Sequence, residues 1–583
     1  MAGRRQLDPP GDAEAQQVIL LLLLALSAHL AAQPQVGQNA HPSDIERLAA
    51  VQKLYEGKKW EEVACLAQGP PDQPAELDYL AGMSLAHLQH WQEAREYFTS
   101  GHRKAPRDAR FLVERAGVSY RLNDIPSAKA DLRATLRLNP KDPYSREFLG
   151  TLFFLDGNLE AALKYWNAIE KPQLASVHFD PPPHLNDKLR ERAVTFAAPA
   201  VLNLDALRTT EARLENLGVF VRENVEMKPL TEEGYNAAIR TTEHAGWRDG
   251  PLVGTVSLFR GVFYETVYPE FYNLAGTARN VTSLLRWDDQ KRRAGGTFST
   301  PVGGNPGLRF RFFLDARNEN WNLSRTFFGT TTPLEDLNLR TLAGGVAIRM
   351  VVNGRWSWSN GVEAIARRFR NLSSGISPAA LPFFTNGTTV EAWARVEHAL
   401  LRMPERRFSL DSTDEVKAGR GLSDALGGFA ILSGSLRAHW LPRAREDDYE
   451  VLGQLRAADT FGHVTLDQLF QLGVERDNDL WLRGHAGTTD GRKGRAPLGR
   501  RYVLLNSEID KHVYDGGLIA LKLGPFVDTG AIADATGLFG SQRWLWDIGV
   551  QGKVRIFGRL SVLLSYGRDL RTAQNVFYAT ASR

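Results

Sequence analysis

The histidines and the single cysteine are the first residues to weigh for chemistry. His87 and His90 stand three apart, a spacing that puts two imidazoles on one face of a helix. Both fall where a helix gives way to its turn, and no third ligand is in view, so they are read as surface residues rather than a zinc site. His244, His439 and His463 have no ligand spacing. Cys65 stands alone, which excludes an intramolecular disulfide and a cysteine-based zinc cluster. The G-x-S-x-G and H-E-x-x-H motifs and the phosphate-binding glycine loop are absent. The basic run GRKGRAPLGRR (491–501) has no apolar strand before it. The chain is therefore read as a non-enzyme with neither cofactor nor metal.

Charge and composition narrow the class. Lys and Arg total 71 against 67 acidic residues, and a net +4 over 583 residues is too dilute for a nucleic-acid partner. Apolar residues at 43% exclude wholesale disorder. A mean hydropathy of −0.30, with no second long apolar run, excludes a polytopic helical membrane protein. A transmembrane β-barrel stays open, because its strands alternate lipid-facing and lumen-facing residues and average out as soluble. The run Val18–Leu26 (VILLLLLAL) is too short to span a bilayer and matches the apolar core of a secretory signal. Residues 1–32 are read as that signal and the mature chain as exported; no cysteine follows to carry a lipid.

Three elements position whatever the chain does. In residues 44–175 a 34-residue period recurs: Gly82, Ala116 and Gly150; Ala94, Ala128 and Ala162; Phe98, Leu132 and Trp166; Pro106 and Pro140. That is the period of the tetratricopeptide repeat, in which small residues let paired helices cross and proline ends the second helix. Such a solenoid binds peptide or protein on its concave face. FDPPPH (179–184) reads as a linker. Residues 186–246 then predict a strand RAVTFAA (192–198), a helix LDALRTTEARLENL (204–217) and two strands (219–230 and 235–246). This order resembles one polypeptide-transport-associated (POTRA) domain, whose family receives extended peptides at a strand edge.

From about Trp247 alternation takes over. In LRFRFFLDAR (308–317), Leu308, Phe310, Phe312, Leu314 and Ala316 oppose Arg309, Arg311, Asp315 and Arg317. In YVLLNSEID (502–510), Val503, Leu505 and Ile509 oppose Asn506, Glu508 and Asp510. One face suits lipid and the other a watery lumen. The roughly 335 residues of 247–583, at about 20 per strand and connection, predict an antiparallel transmembrane barrel of about 16 strands.

Motifs inside this region resemble the BamA/TamA-like outer-membrane assembly barrels, also called bacterial surface antigens. YPEFYNLAG (268–276), FSTP (298–301), FQLGVERDNDLWLRGH (470–485), NSEI (506–509) and FVDTG (526–530) follow in that family's order. The resemblance implies an inward-folded loop tipped by Leu482, Arg483, Gly484 and His485, with Glu508 and Asp528 as the carboxylates near Arg483. Strand alternation sends both toward the lumen. His485 stands where the family carries an aromatic, and the chain ends on Arg583 rather than an aromatic.

The implied location is the bacterial outer membrane, with the repeats and the POTRA-like region in the periplasm. The implied partners are outer-membrane lipid and client or secreted polypeptides, with a periplasmic protein docking on the repeats. The leading function is assistance of protein insertion, assembly or translocation. The competing readings are a two-partner-type secretion pore and a membrane-anchored tetratricopeptide receptor.

Overall fold

The sequence from Pro42 to Trp166 folds into helices in the computed structural model, which describes residues 42–582 except 231–233, 245–249, 326–331, 374–375, 444–447, 535–536, 538, 542 and 557–559. The expected signal segment, residues 1–32, lies outside the described residues. The chain divides into two units, one of residues 1–173 with 229–235, the other of residues 174–228 with 236–583.

In the first unit Asp108, Asp124, Asp142 and Asn158 each accept a backbone N–H from the first turn of the helix they precede. The 34-residue period has a packing cause. A Cβ on Gly82 would stand 2.7 Å from the Phe98 ring, and one on Gly150 would stand 2.4 Å from Trp166. A small residue on one helix thus admits a large ring from the next, and Ala116 and Leu132, at the corresponding positions of the unit between, are both fully buried. Burial also holds the Glu114 carboxyl up at about 7, against a hydrogen bond from Tyr79 that favours its ionised form.

The second unit begins with a four-stranded sheet in the order Ala200–Val201, Gln173–Phe179, Tyr235–Glu243, Phe220–Pro229. Helices Asp187–Ala193 and Leu204–Leu217 accompany it. The expected strand at 192–198 is not one. Thr195 donates its N–H to Thr210 Oγ1 at 2.9 Å and its hydroxyl to the Ala206 carbonyl at 2.7 Å, so these polar groups serve the helix Leu204–Leu217 instead of a ladder. The sheet takes Gln173–Phe179 instead, a segment upstream of the expected start at 186. FDPPPH therefore continues a strand of this domain rather than preceding it.

Among the described residues, the rest of the chain closes into a barrel of eighteen hydrogen-bonded segments. The sequence led to about sixteen strands; two of the eighteen, Thr488–Thr489 and Arg492–Lys493, are two-residue pieces of the inward loop. Apolar side chains stand exposed at alternate positions around the wall. Examples are Leu314, Leu342, Val362, Val416, Ile509 and Val550. The opposite parity carries the ion pairs Arg293–Asp315, Lys417–Glu363 and Lys522–Glu450. That is the pattern of a wall with lipid outside and charge within.

The closure is unusual. Fourteen successive antiparallel pairings lead from the edge formed by Thr266–Val267 and Glu270–Leu274 round to Asn575–Ser582. An even number of reversals restores direction, so Asn575–Ser582 and Thr266–Val267 meet running parallel. The first segment brings two residues to this junction. Eleven of the fourteen other ladders run to ten or more residues, as between Leu308–Arg325 and Thr332–Val351, and the ladders next to the closure are the short ones.

The small domain lies at the end of the barrel bearing turns 275–278, 302–307 and 352–355. Asn186 N donates to Gly276 O at 2.8 Å, Asn216 Nδ2 to Pro306 O at 2.8 Å, and Gly354 N to Thr209 Oγ1 at 3.1 Å.

Candidate functional site: the inward loop

Strands Tyr449–Gly462 and Arg501–Asp515 pair directly, and the 38 residues between them, 463–500, fold into the barrel. The loop's apolar residues explain why. Leu472, Leu480 and Leu482 are buried against Tyr502, Leu504, Ile532 and Leu545, while Val464, Leu466 and Leu469 join Phe369, Phe383 and Phe429. Burying these side chains on the inner wall offsets the cost of ordering a long connection.

The tip is held by charge. Arg483 donates from N, Nε and Nη2 to the Asp528 carboxylate at 3.0, 2.8 and 2.6 Å. Its Nη1 reaches Glu508 Oε2 at 2.9 Å and Gln551 Oε1 at 2.7 Å. The guanidinium carbon stands 3.7 Å from the centre of the Phe526 ring. Arg483 is 4% exposed and Asp528 is not exposed at all, so this pair is dry rather than lumen-wet. Asp528 and Glu508 sit on adjacent strands, with Asn506 opposite Asp528 and Glu508 opposite Phe526. The structure thus brings together Arg483, Glu508 and Asp528, three residues that the sequence grouped only by resemblance.

Leu482 is fully buried beneath the tip, and Gly484 N donates to Asp547 Oδ2 at 2.6 Å. A Cβ on Gly484 would stand 2.7 Å from that carboxylate carbon, and one on Gly567 would stand 2.2 Å from the Arg483 carbonyl oxygen. Two backbones approach here, which is why both positions are glycine. His485 Nδ1 lies 3.1 Å from Asp547 Oδ2 and Nε2 lies 3.6 Å from Asp569 Oδ2.

A second anchor, which the sequence did not single out, precedes the tip. Asp477 pairs with Arg286 at 2.6 Å and Arg293 at 2.7 Å; Glu475 pairs with Lys291 at 2.8 Å; Lys493 pairs with Glu319 at 2.7 Å. The Arg476 guanidinium lies 3.8 Å over the Tyr264 ring, and Trp481 meets Tyr578 edge-on at 5.4 Å. Within ten residues, 476–485, the loop therefore touches both flanks of the closure: Arg286 and Arg293 beyond the first strand edge, Tyr578 on the last strand. The signal for Asp547 and Gln551 was present in the alternation of LWDIGVQG. The signal for Asp477 was not, because its partners come from strands nearly two hundred residues earlier. A cavity of about 680 Å³ remains beside the loop, lined by Asp315, Arg317, Glu363, Lys417, Asp477 and Lys493 among others.

No model of a known protein family matches the sequence, and no curated protein matches it. Among solved structures the chain is similar to BamA from Haemophilus ducreyi lacking POTRA domains 1–3, with 11% identity, a TM-score of 0.42, and 70% of this chain and 84% of that one covered. It is likewise similar to CdiB from Acinetobacter baumannii, with 14% identity, a TM-score of 0.44, and coverage of 71% and 74%. CdiB from Escherichia coli gives 14% identity, a TM-score of 0.46, and coverage of 71% and 75%. BamA and CdiB are thus among the solved chains that this one is similar to.

Proposed function

We propose that this chain is an outer-membrane β-barrel protein that assists the insertion, assembly or translocation of other polypeptides. The observation that carries this reading is the closure. Asn575–Ser582 meets a two-residue segment where most other wall strands share long ladders, and hydrogen bonds made by so short a junction are few. Backbone groups along a poorly laddered edge are costly in lipid and can pair with an incoming strand. The reaction class is templated pairing, with no covalent step.

In this reading residues 44–175 are tetratricopeptide repeats that dock a periplasmic protein. The small domain is POTRA-like, and its edge strand Phe220–Pro229 receives extended client segments. The loop, ion-paired across the lumen, suits an assembly factor and a two-partner-type secretion pore alike, so the short closure and not the loop carries the preference for assembly. Depletion of the protein followed by quantification of outer-membrane proteins tests this. A selective fall in other barrel proteins is expected. An unchanged profile, together with stable single-channel conductance from the purified protein, would overturn it in favour of a secretion pore.

A further inference from the structure

We propose that His485, Asp547 and Asp569 form a site for one divalent transition ion of the zinc class, at the point where the loop tip meets the wall. Neither a metal nor a ligand set was expected from the sequence. The site does not depend on what the barrel does.

The donor atoms come from three elements: His485 from the loop tip, Asp547 from strand Leu545–Ile556, and Asp569 from the end of strand Leu560–Asp569. All three residues are buried, at 6%, 0% and 1% exposure, and one donor atom from each lies within 4.8 Å of the others. The hydrogen bonds of His485 and Asp547 leave donor atoms over. His485 Nδ1 stands 3.1 Å from Asp547 Oδ2, close enough to donate to it. In that tautomer Nε2 carries the free lone pair. Nε2 faces Asp569 Oδ2 at 3.6 Å, too far for a hydrogen bond, and makes none. Asp547 Oδ1 is also buried without a hydrogen bond. With Nε2 unprotonated, two acceptors face one another across 3.6 Å, a repulsion that a second proton on the imidazole or a bound cation relieves. Ligands about 2.0–2.1 Å from a zinc ion stand roughly 3.3 Å apart at the tetrahedral angle, and somewhat farther when the angle opens.

The carboxylates are also oriented as ligands would be. Asp569 accepts from Arg571 N, from Thr572 N and from the Thr572 hydroxyl, while Asp547 Oδ2 accepts from Gly484 N. Two aspartates outnumber the Arg571 guanidinium that acts on His485 from the turn after Asp569. One nitrogen and two oxygens suit zinc rather than calcium, which takes six to eight oxygens. A bound ion would pin the loop tip to two wall strands at once.

The test uses full-length protein without a histidine tag, purified in detergent, equilibrated with zinc sulfate and dialysed against metal-free buffer. About one zinc per chain should remain in the wild type and almost none in His485→Phe or Asp569→Asn. Cobalt(II) sulfate should give a tetrahedral ligand-field spectrum that both substitutions abolish. Heat-modifiable migration on a denaturing gel shows that each variant retains its barrel. Wild-type protein holding no more zinc than a folded variant would overturn the proposal. If neither variant folds, the wild-type cobalt spectrum decides: the absence of tetrahedral bands would overturn it equally.

Discussion

Arg483 and Asp528 are joined by three hydrogen bonds, two from the guanidinium and one from the arginine's own backbone N–H. The side chain is therefore bound in a direction that its backbone already dictates, and the loop tip has little freedom to slide. Replacing Arg483 with Ala leaves Asp528 and Glu508 as buried carboxylates on adjacent strands. A wet lumen would have made the cost small; a dry pair raises it to about 3–5 kcal/mol. The midpoint temperature of heat-modifiable migration should fall sharply. Asp528→Asn should reproduce much of the loss, and the double variant should be less than additive. Strict additivity would show that the two residues do not act as a unit.

The second anchor should behave separately. Arg286→Gln and Asp477→Asn should each loosen the loop, and together cost less than their sum. Arg286 combined with Arg483 substitutions should come closer to additive, because the two anchors share no hydrogen bond. Loop release can be read by limited proteolysis between residues 472 and 500, with the barrel remaining intact on the gel.

Gly567 is the sharpest steric test. A methyl group there would lie 2.2 Å from a carbonyl oxygen of the tip, and backbone cannot yield as a flexible side chain can. Gly567→Ala should unseat the loop, as judged by the same proteolysis. Gly296→Ala, where the nearest atom is 4.0 Å away, should leave it seated. Equal protection in both would refute the close approach.

The helical segment 42–172 should fold when excised and give a helix-dominated circular dichroism spectrum, since successive helices pack on near neighbours. Its stability should depend on pH through Glu114. The folded carboxyl titrates at about 7, above its ordinary 4.5, so the folded state keeps its proton longer than the unfolded chain. Stability is then fullest below about 4.5 and declines as pH rises to about 7. Glu114→Gln should flatten the melting temperature over that window; an unchanged slope would remove Glu114 as its source.

Much of the architecture was readable from residues alone. The alternation in LRFRFFLDAR and YVLLNSEID assigns faces because side chains alternate across a strand whatever its neighbours are. The spacing of Gly82 with Phe98 and Gly150 with Trp166 reflects contacts between successive helices, so it leaves a period in the sequence. RAVTFAA misled because a β-prone composition cannot register that Thr195 is captured by Thr210 and Ala206.

By itself the sequence determined the helical period, the inward parity of Asp528 and Glu508, and the two-sided character of the wall. Each is a local property, set by residue type and short spacing. The tertiary structure alone decided that Asp477 meets Arg286, that His485 stands between Asp547 and Asp569, and that the first and last strands meet in parallel. Those relations depend on which distant segments become neighbours and on the parity of the whole strand count. Neither leaves a trace in any short stretch of chain.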